Sequence, residues 1–98
     1  MVKVNLVFVL GKIISDIEFQ FIINSKNKSI AIFKIKLLNN SEVTVKAYNE
    51  QADYCYSKLN KNNIIYIEGY LNSKMQIVVK DIKKQETKKK QKINKTQK

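Results

Sequence analysis

Three lysines and a tyrosine stand out for where they fall. Lys34 and Lys36 occupy alternate positions of the stretch Ser29–Leu38, Lys46 lies within Glu42–Tyr48, and Tyr48 closes that second stretch. Both stretches alternate apolar and polar residues, the period of a β-strand with one face turned to a core. In the first, Ala31, Phe33, Ile35 and Leu37 share one face, while Lys34 and Lys36 share the other with Ile30 and Ile32. In the second, Val43, Val45 and Ala47 point inward and Thr44, Lys46 and Tyr48 outward. Ammonium groups spaced along a sheet can follow a phosphate backbone, and a phenol ring offers a base a surface to stack on. A single-strand binder needs that combination, with each stacked base contributing about 1–3 kcal/mol. An ordinary solvated sheet face carries the same residues, because one face of an antiparallel sheet is commonly polar. Tyr48, Lys34, Lys36 and Lys46 are therefore the candidate nucleic-acid-binding residues, weighed against that simpler reading.

Other chemistry is excluded by what is missing. The chain has no His and a single Cys, so a zinc site of the usual Cys/His kind cannot be assembled, nor can a His-based triad. Its two glycines, Gly11 and Gly69, are too few for a P-loop or a dinucleotide-binding loop. The expectation is a protein that is not an enzyme and that uses no metal and no cofactor. Cys55 falls on the apolar stripe of a helical segment, where a buried, inert thiol is expected. Phe8, Phe19, Phe21 and Phe33 are expected in a core or an interface. Tyr66 and Tyr70 flank Glu68 on one side of a strand, which suits a subunit interface or a wet barrel surface as well as it suits DNA.

The elements that would position these residues can be read in order. Val2–Leu10 is a β-branched, apolar strand bounded by Gly11, where a bulge or sharp bend is expected. Ser15-Asp16 turns the chain, Glu18–Ile23 is extended, and Asn24–Lys28 is a polar turn. Asn39-Asn40-Ser41 joins the two alternating strands as a hairpin, since Asn tolerates positive φ. Asn49–Leu59 is the one helix, with Asn49 as N-cap and Glu50 and Asp53 near the positive end of its dipole. Ala52, Cys55, Tyr56 and Leu59 form its apolar face, leaving Tyr54 exposed. Lys61-Asn62-Asn63 ends it. Ile64–Leu71, the turn Asn72-Ser73-Lys74 and Met75–Ile82 complete the pattern. Grouped as three strand segments, a helix and two more strands, this is an all-β layout: the five-stranded OB-fold Greek-key barrel with one helix between strands 3 and 4. Periodicity stops at Lys83, so residues 1–82 read as the domain and residues 83–98 as a disordered tail.

Charge follows the same division. The chain carries 19 basic residues, all lysine, against 8 acidic ones, a net of +11. Residues 1–82 hold 11 lysines and 7 acids, and residues 83–98 hold 8 lysines and Glu86 alone. Such an excess favours a polyanionic partner, and a solvated lysine-rich terminus is the plainer account of the tail. No apolar stretch reaches spanning length, and Asn5 and Lys12 break up the apolar start, so neither a membrane nor a signal peptide is expected. Lysine, isoleucine and asparagine abound while Arg, Trp and Pro are absent, as an AT-rich genome would dictate; a plastid, or the cytoplasm of an AT-rich bacterium, is the expected setting.

Several segments together resemble the bacterial and organellar single-stranded-DNA-binding (SSB) family. Val9-Leu10-Gly11-Lys12-Ile13 followed by Asp16-Ile17-Glu18-Phe19 is similar to its strand, glycine, basic residue and D-x-E segment. Val45-Lys46-Ala47-Tyr48-Asn49 with Ala52 and Leu59-Asn60-Lys61-Asn62 resembles its third strand and helix. Ile65-Tyr66-Ile67-Glu68-Gly69-Tyr70-Leu71 resembles its V-Y-V-E-G-x-L strand. The resemblance covers residues 2–82. It implies an OB-fold, single-stranded DNA as partner in replication and repair, and a homo-oligomer, tetramer or dimer, with Tyr48 as the base-stacking residue. Short plastid-encoded members are similar in length and composition.

The departures are specific. Glu42 stands where the family has a tryptophan, and the short turns Asn39–Ser41 and Asn72–Lys74 replace long, tryptophan-bearing hairpins. A smaller footprint is expected. The family's acidic, Phe-ended tail is replaced by lysines. Two other readings stay open: an OB-fold protein–protein adaptor at a priming or replication complex, as for the small primosomal replication protein, and an RNA-binding module.

Overall fold

The computed structural model describes residues 6–23, 26 and 28–85. They form β1 (Val7–Ile13), β2 (Glu18–Phe21), β3 (Ser29–Leu37), β4 (Glu42–Tyr48), α1 (Glu50–Lys58), β5 (Ile64–Leu71) and β6 (Ile77–Lys84). The strands are ordered β1-β5-β6-β4-β3-β2, and an additional β1–β3 pairing closes the sheet into a barrel. All pairings are antiparallel except β4–β6.

Six strands make a five-stranded barrel because β1 and β2 act as two halves of one strand. Both pair with β3, β1 through Gly11–Ile13 and β2 along its whole length. Between them the ladder is bridged: Ile14 N–H donates to the Lys34 carbonyl at 2.9 Å, and Lys34 N–H donates to the Ser15 hydroxyl at 2.8 Å. Ser15 thus supplies with its side chain the acceptor that the turning backbone withdraws. Counted this way, α1 falls between the third and fourth strands, as the OB-fold layout requires.

The alternation of β3 and β4 is realised as expected. Ala31, Phe33, Ile35, Val45 and Ala47 are buried, with Ile13, Ile65, Ile67, Ile77 and Ile82 from the other strands. Ala31 lies directly opposite Ala47, and α1 contacts both strands. Two small residues there leave room for the helix, whose Ala52, Cys55 and Leu59 complete the core.

The structure corrects several sequence boundaries. β1 does not stop at Gly11: it runs through to Ile13, because Gly11 pairs with Ile65 on one side and Leu37 on the other. A Cβ at this position would stand 3.0 Å from Ile35 Cδ1 and 3.1 Å from the Lys36 carbonyl oxygen, so glycine permits closure rather than a bend. The bulge lies in β5–β6, at Glu68/Gly69, where a Cβ on Gly69 would collide with the Val78 carbonyl oxygen. β6 begins at Ile77, because Met75 takes φ 61° in the preceding turn. That turn is held by Asn72 Oδ1, which accepts from the N–H groups of Lys74 and Gln76. β6 also continues through Lys83 and Lys84, two residues past the expected boundary. Of the expected elements, residues 2–5 of the first strand, residues 24, 25 and 27 of the polar turn and residues 86–98 of the lysine tail lie outside the described residues.

Helix α1 departs in two ways. Asn49 sits at the N-cap position with φ 55° but makes no side-chain cap. Its Oδ1 instead accepts from Lys28 N–H at 2.6 Å, tying the start of the helix to the entry of β3. Tyr56 is 60% exposed, whereas Tyr54, expected outside, packs against the core, and its hydroxyl accepts from Lys84 N–H at 3.4 Å. The phenol of Tyr56 rests on Phe19, ring centroids 4.9 Å apart.

Candidate nucleic-acid interface

The β3–β4 register decides which side chains share a surface. Ile30 lies opposite Tyr48, Ile32 opposite Lys46, Lys34 opposite Thr44 and Lys36 opposite Glu42. Because Ala31, Phe33, Val45 and Ala47 between them are buried, this second set points outward. Tyr48, Lys46, Lys34 and Lys36 are therefore brought onto one outer face of the barrel. From Glu42, level with Lys36, to Tyr48 is six residues of strand, about 20 Å at the usual rise.

Each position has its own surroundings. Tyr48 ends β4 half-buried, beside the Ile30 side of β3, with Gln20 of β2 next in the same row. Lys46 is half-buried because β6 runs alongside, placing Val78 next to it. Lys34 and Lys36 are exposed. Among the described residues the ion pair within 4.0 Å is Lys80–Glu68, at 3.7 Å, between β6 and β5. None of the three candidate lysines has a described carboxylate within 4.0 Å, although Glu42 is the cross-strand neighbour of Lys36.

One further cation joins this face that sequence spacing did not reveal. The β1–β3 pairing sets Lys12 directly opposite Lys36. Only the long-range closure brings them together, so no local period signals it.

The outer face of β1, β5 and β6 carries a different chemistry. Phe8, 71% exposed, stands opposite Glu68, and Leu10 stands opposite Tyr66. With Asp81 and Lys83 these line a cleft of about 360 Å³. Tyr66 and Tyr70 are both exposed, as the sequence allowed. Phe8 and Phe21 are exposed as well, while Phe33 is in the core and Phe19 is packed against it. Cys55 is a buried free thiol on the inner side of α1, and burial pushes its pKa up to about 12. Among the described residues, no cluster of three or more Cys, Asp or Glu is placed to hold a metal ion.

The barrel closed by β1–β3, its parallel β4–β6 pair and the helix between its third and fourth strands define an OB-fold. More particularly, it is the form of that fold found in SSB domains. The SSB domain of a Synechococcus sp. protein is similar over 84% of this chain and 97% of that one, with a TM-score of 0.72 at 14% identity. The mitochondrial single-stranded-DNA-binding protein of S. cerevisiae is similar over 89% of this chain and 100% of that one, with a TM-score of 0.75 at 16% identity. At these identities the likeness is one of fold. No family model matches the sequence, and no curated protein matches it.

Proposed function

We propose that this chain is a short member of the SSB family and binds single-stranded DNA without sequence preference. The observation that carries the proposal is the outer face of the β3–β4 hairpin, where Tyr48 lies in line with Lys46, Lys34 and Lys36 on this fold. The bases stack on Tyr48 while the phosphates follow the lysines. The lysine-rich residues 86–98 add electrostatic attraction.

The composition supports an AT-rich genome. Together with the cyanobacterial and mitochondrial neighbours, it supports a role in organellar or bacterial DNA replication and repair, and a plastid fits best. The exposed Phe8, Tyr66 and Tyr70, beside acidic and basic neighbours, support assembly of copies into a dimer or tetramer through the outer face of β1 and β5. The same face favours a second reading, an OB-fold adaptor at a priming or replication complex.

Fluorescence anisotropy with labelled oligo-dT at low salt tests the first reading, with duplex and single-stranded RNA as competitors. Preference for single-stranded DNA supports it. No binding, or equal binding of duplex, refutes it. Protein partners that survive nuclease treatment of an extract, with no oligo-dT binding, decide for the adaptor.

A further inference from the structure

We propose that Lys12 and Lys36 form a two-lysine seat for one phosphodiester of a bound single strand, at the seam where β1 closes on β3; the inference rests on the single-strand reading above. The two residues are direct cross-strand partners. Side chains so placed have Cβ atoms about 4.5–5.5 Å apart, and like charges there destabilise the sheet. Both lysines are exposed, and neither has a described carboxylate within 4.0 Å. Glu42 is the β4 neighbour of Lys36, yet it does not close to that distance. Among the described residues no ion pair within 4.0 Å offsets the repulsion, and an anion seated between the two ammonium groups does so.

The surroundings suit a nucleotide better than a free ion. Lys12 and Lys36 border a cleft of about 300 Å³ that also includes Leu10, Leu38, Ile64 and Asn40. Leu38 is 86% exposed, an apolar side chain left uncovered beside two cations. A base laid on Leu38 and Ile64 places its phosphate at the lysines. The cleft also continues the stripe already described, since Lys36 is the member of that stripe farthest from Tyr48. The strand path thereby extends from β4 across β3 onto β1.

The test is the salt dependence of oligo-dT binding by the full chain, by Lys12→Gln and by the double variant Lys12→Gln/Lys36→Gln, with Lys61→Gln, beyond the end of α1, as a control. Losing one neutralised phosphate makes the slope of log affinity against log salt shallower by about 0.7. In Lys12→Gln the shared phosphate stays on Lys36, so affinity falls with the slope little changed. The double variant loses that phosphate, and its deficit shrinks about 2.6-fold between about 50 and 200 mM salt, while Lys61→Gln follows the wild type. The melting temperature of unliganded Lys12→Gln is expected to equal or exceed that of the wild type, because a repulsive pair has been removed. Lys12→Met, which keeps the aliphatic stem, is expected to behave alike. A wild-type slope in the double variant, or a loss of about 0.7 from Lys12→Gln alone and again from Lys36→Gln, overturns the shared seat while leaving single-strand binding intact. A lowered melting temperature in both Lys12→Gln and Lys12→Met overturns it too, since Lys12 would then be structural. A wild-type chain that does not hold oligo-dT overturns both proposals.

Discussion

Tyr48 closes β4 at the point where the chain leaves the sheet for α1, and this lets a ring on a short strand present a face to solvent. Its replacement by alanine is expected to weaken oligo-dT binding by about 1–3 kcal/mol with the salt slope unchanged, because a stacking contact releases no counterions. Anisotropy titrations at several salt concentrations measure both quantities, and Tyr48→Phe should restore the affinity. Cys55 offers a second test, of the core. Burial raises its pKa from 9.0 to about 12, so the folded chain keeps the neutral thiol where the unfolded chain ionises. The stabilisation is complete below about pH 9 and is lost as pH rises toward 12. Denaturant midpoints of wild type and Cys55→Ala should therefore converge over that range, and iodoacetamide near pH 8 should label Cys55 only after unfolding. The sequence made both residues legible, Tyr48 through alternation and Cys55 through helical spacing. It misplaced Tyr54 and Tyr56, because a helical wheel finds the buried stripe Ala52, Cys55 and Leu59 but not which flank a neighbouring strand will cover. Here β6 runs far enough for Lys84 to reach the Tyr54 hydroxyl, while the Tyr56 ring lies tilted against Phe19 and stays largely exposed.

At the scale of elements, the two glycines do different work. Gly11 lets β1 approach β3 closely enough to close the barrel, and Gly69 makes room on β5 for the bulge of β6 at Lys80, where the Val78 carbonyl comes close. Gly69→Ala is expected to cost about 1–3 kcal/mol of stability, as overpacking does, because the obstacle is backbone and cannot swing aside. A urea denaturation curve gives the value. The hairpin β3–β4 was readable because alternation and an Asn-Asn-Ser turn agree, and Asn40 takes the positive φ of 70° that such a turn asks for. The end of β6 was not. Lys83 and Lys84, the two residues beyond Ile82, are both exposed, so no apolar alternation marks the last part of the strand. The closure β1–β3, and with it the placing of Lys12 against Lys36, joins segments more than twenty residues apart and leaves no local mark.

The whole molecule is a small OB barrel with a line of lysines, none within 4.0 Å of a described carboxylate, on one outer face and an apolar, mixed-charge surface on another. Electrostatic attraction then comes from two sources, the folded face and the lysines beyond β6. Removing residues 86–98, which hold six lysines and Glu86, leaves β6 whole and should flatten the salt slope by up to about 4, at about 0.7 per phosphate. Tyr48→Ala in that truncated chain should still lose the same stacking contribution. The central claim is tested most directly by titrating labelled oligo-dT with the full chain at low salt and again with matched duplex as competitor. The account predicts saturable binding to oligo-dT that weakens steadily with salt and resists duplex competition. Absent binding, or displacement by duplex as readily as by unlabelled oligo-dT, would contradict it.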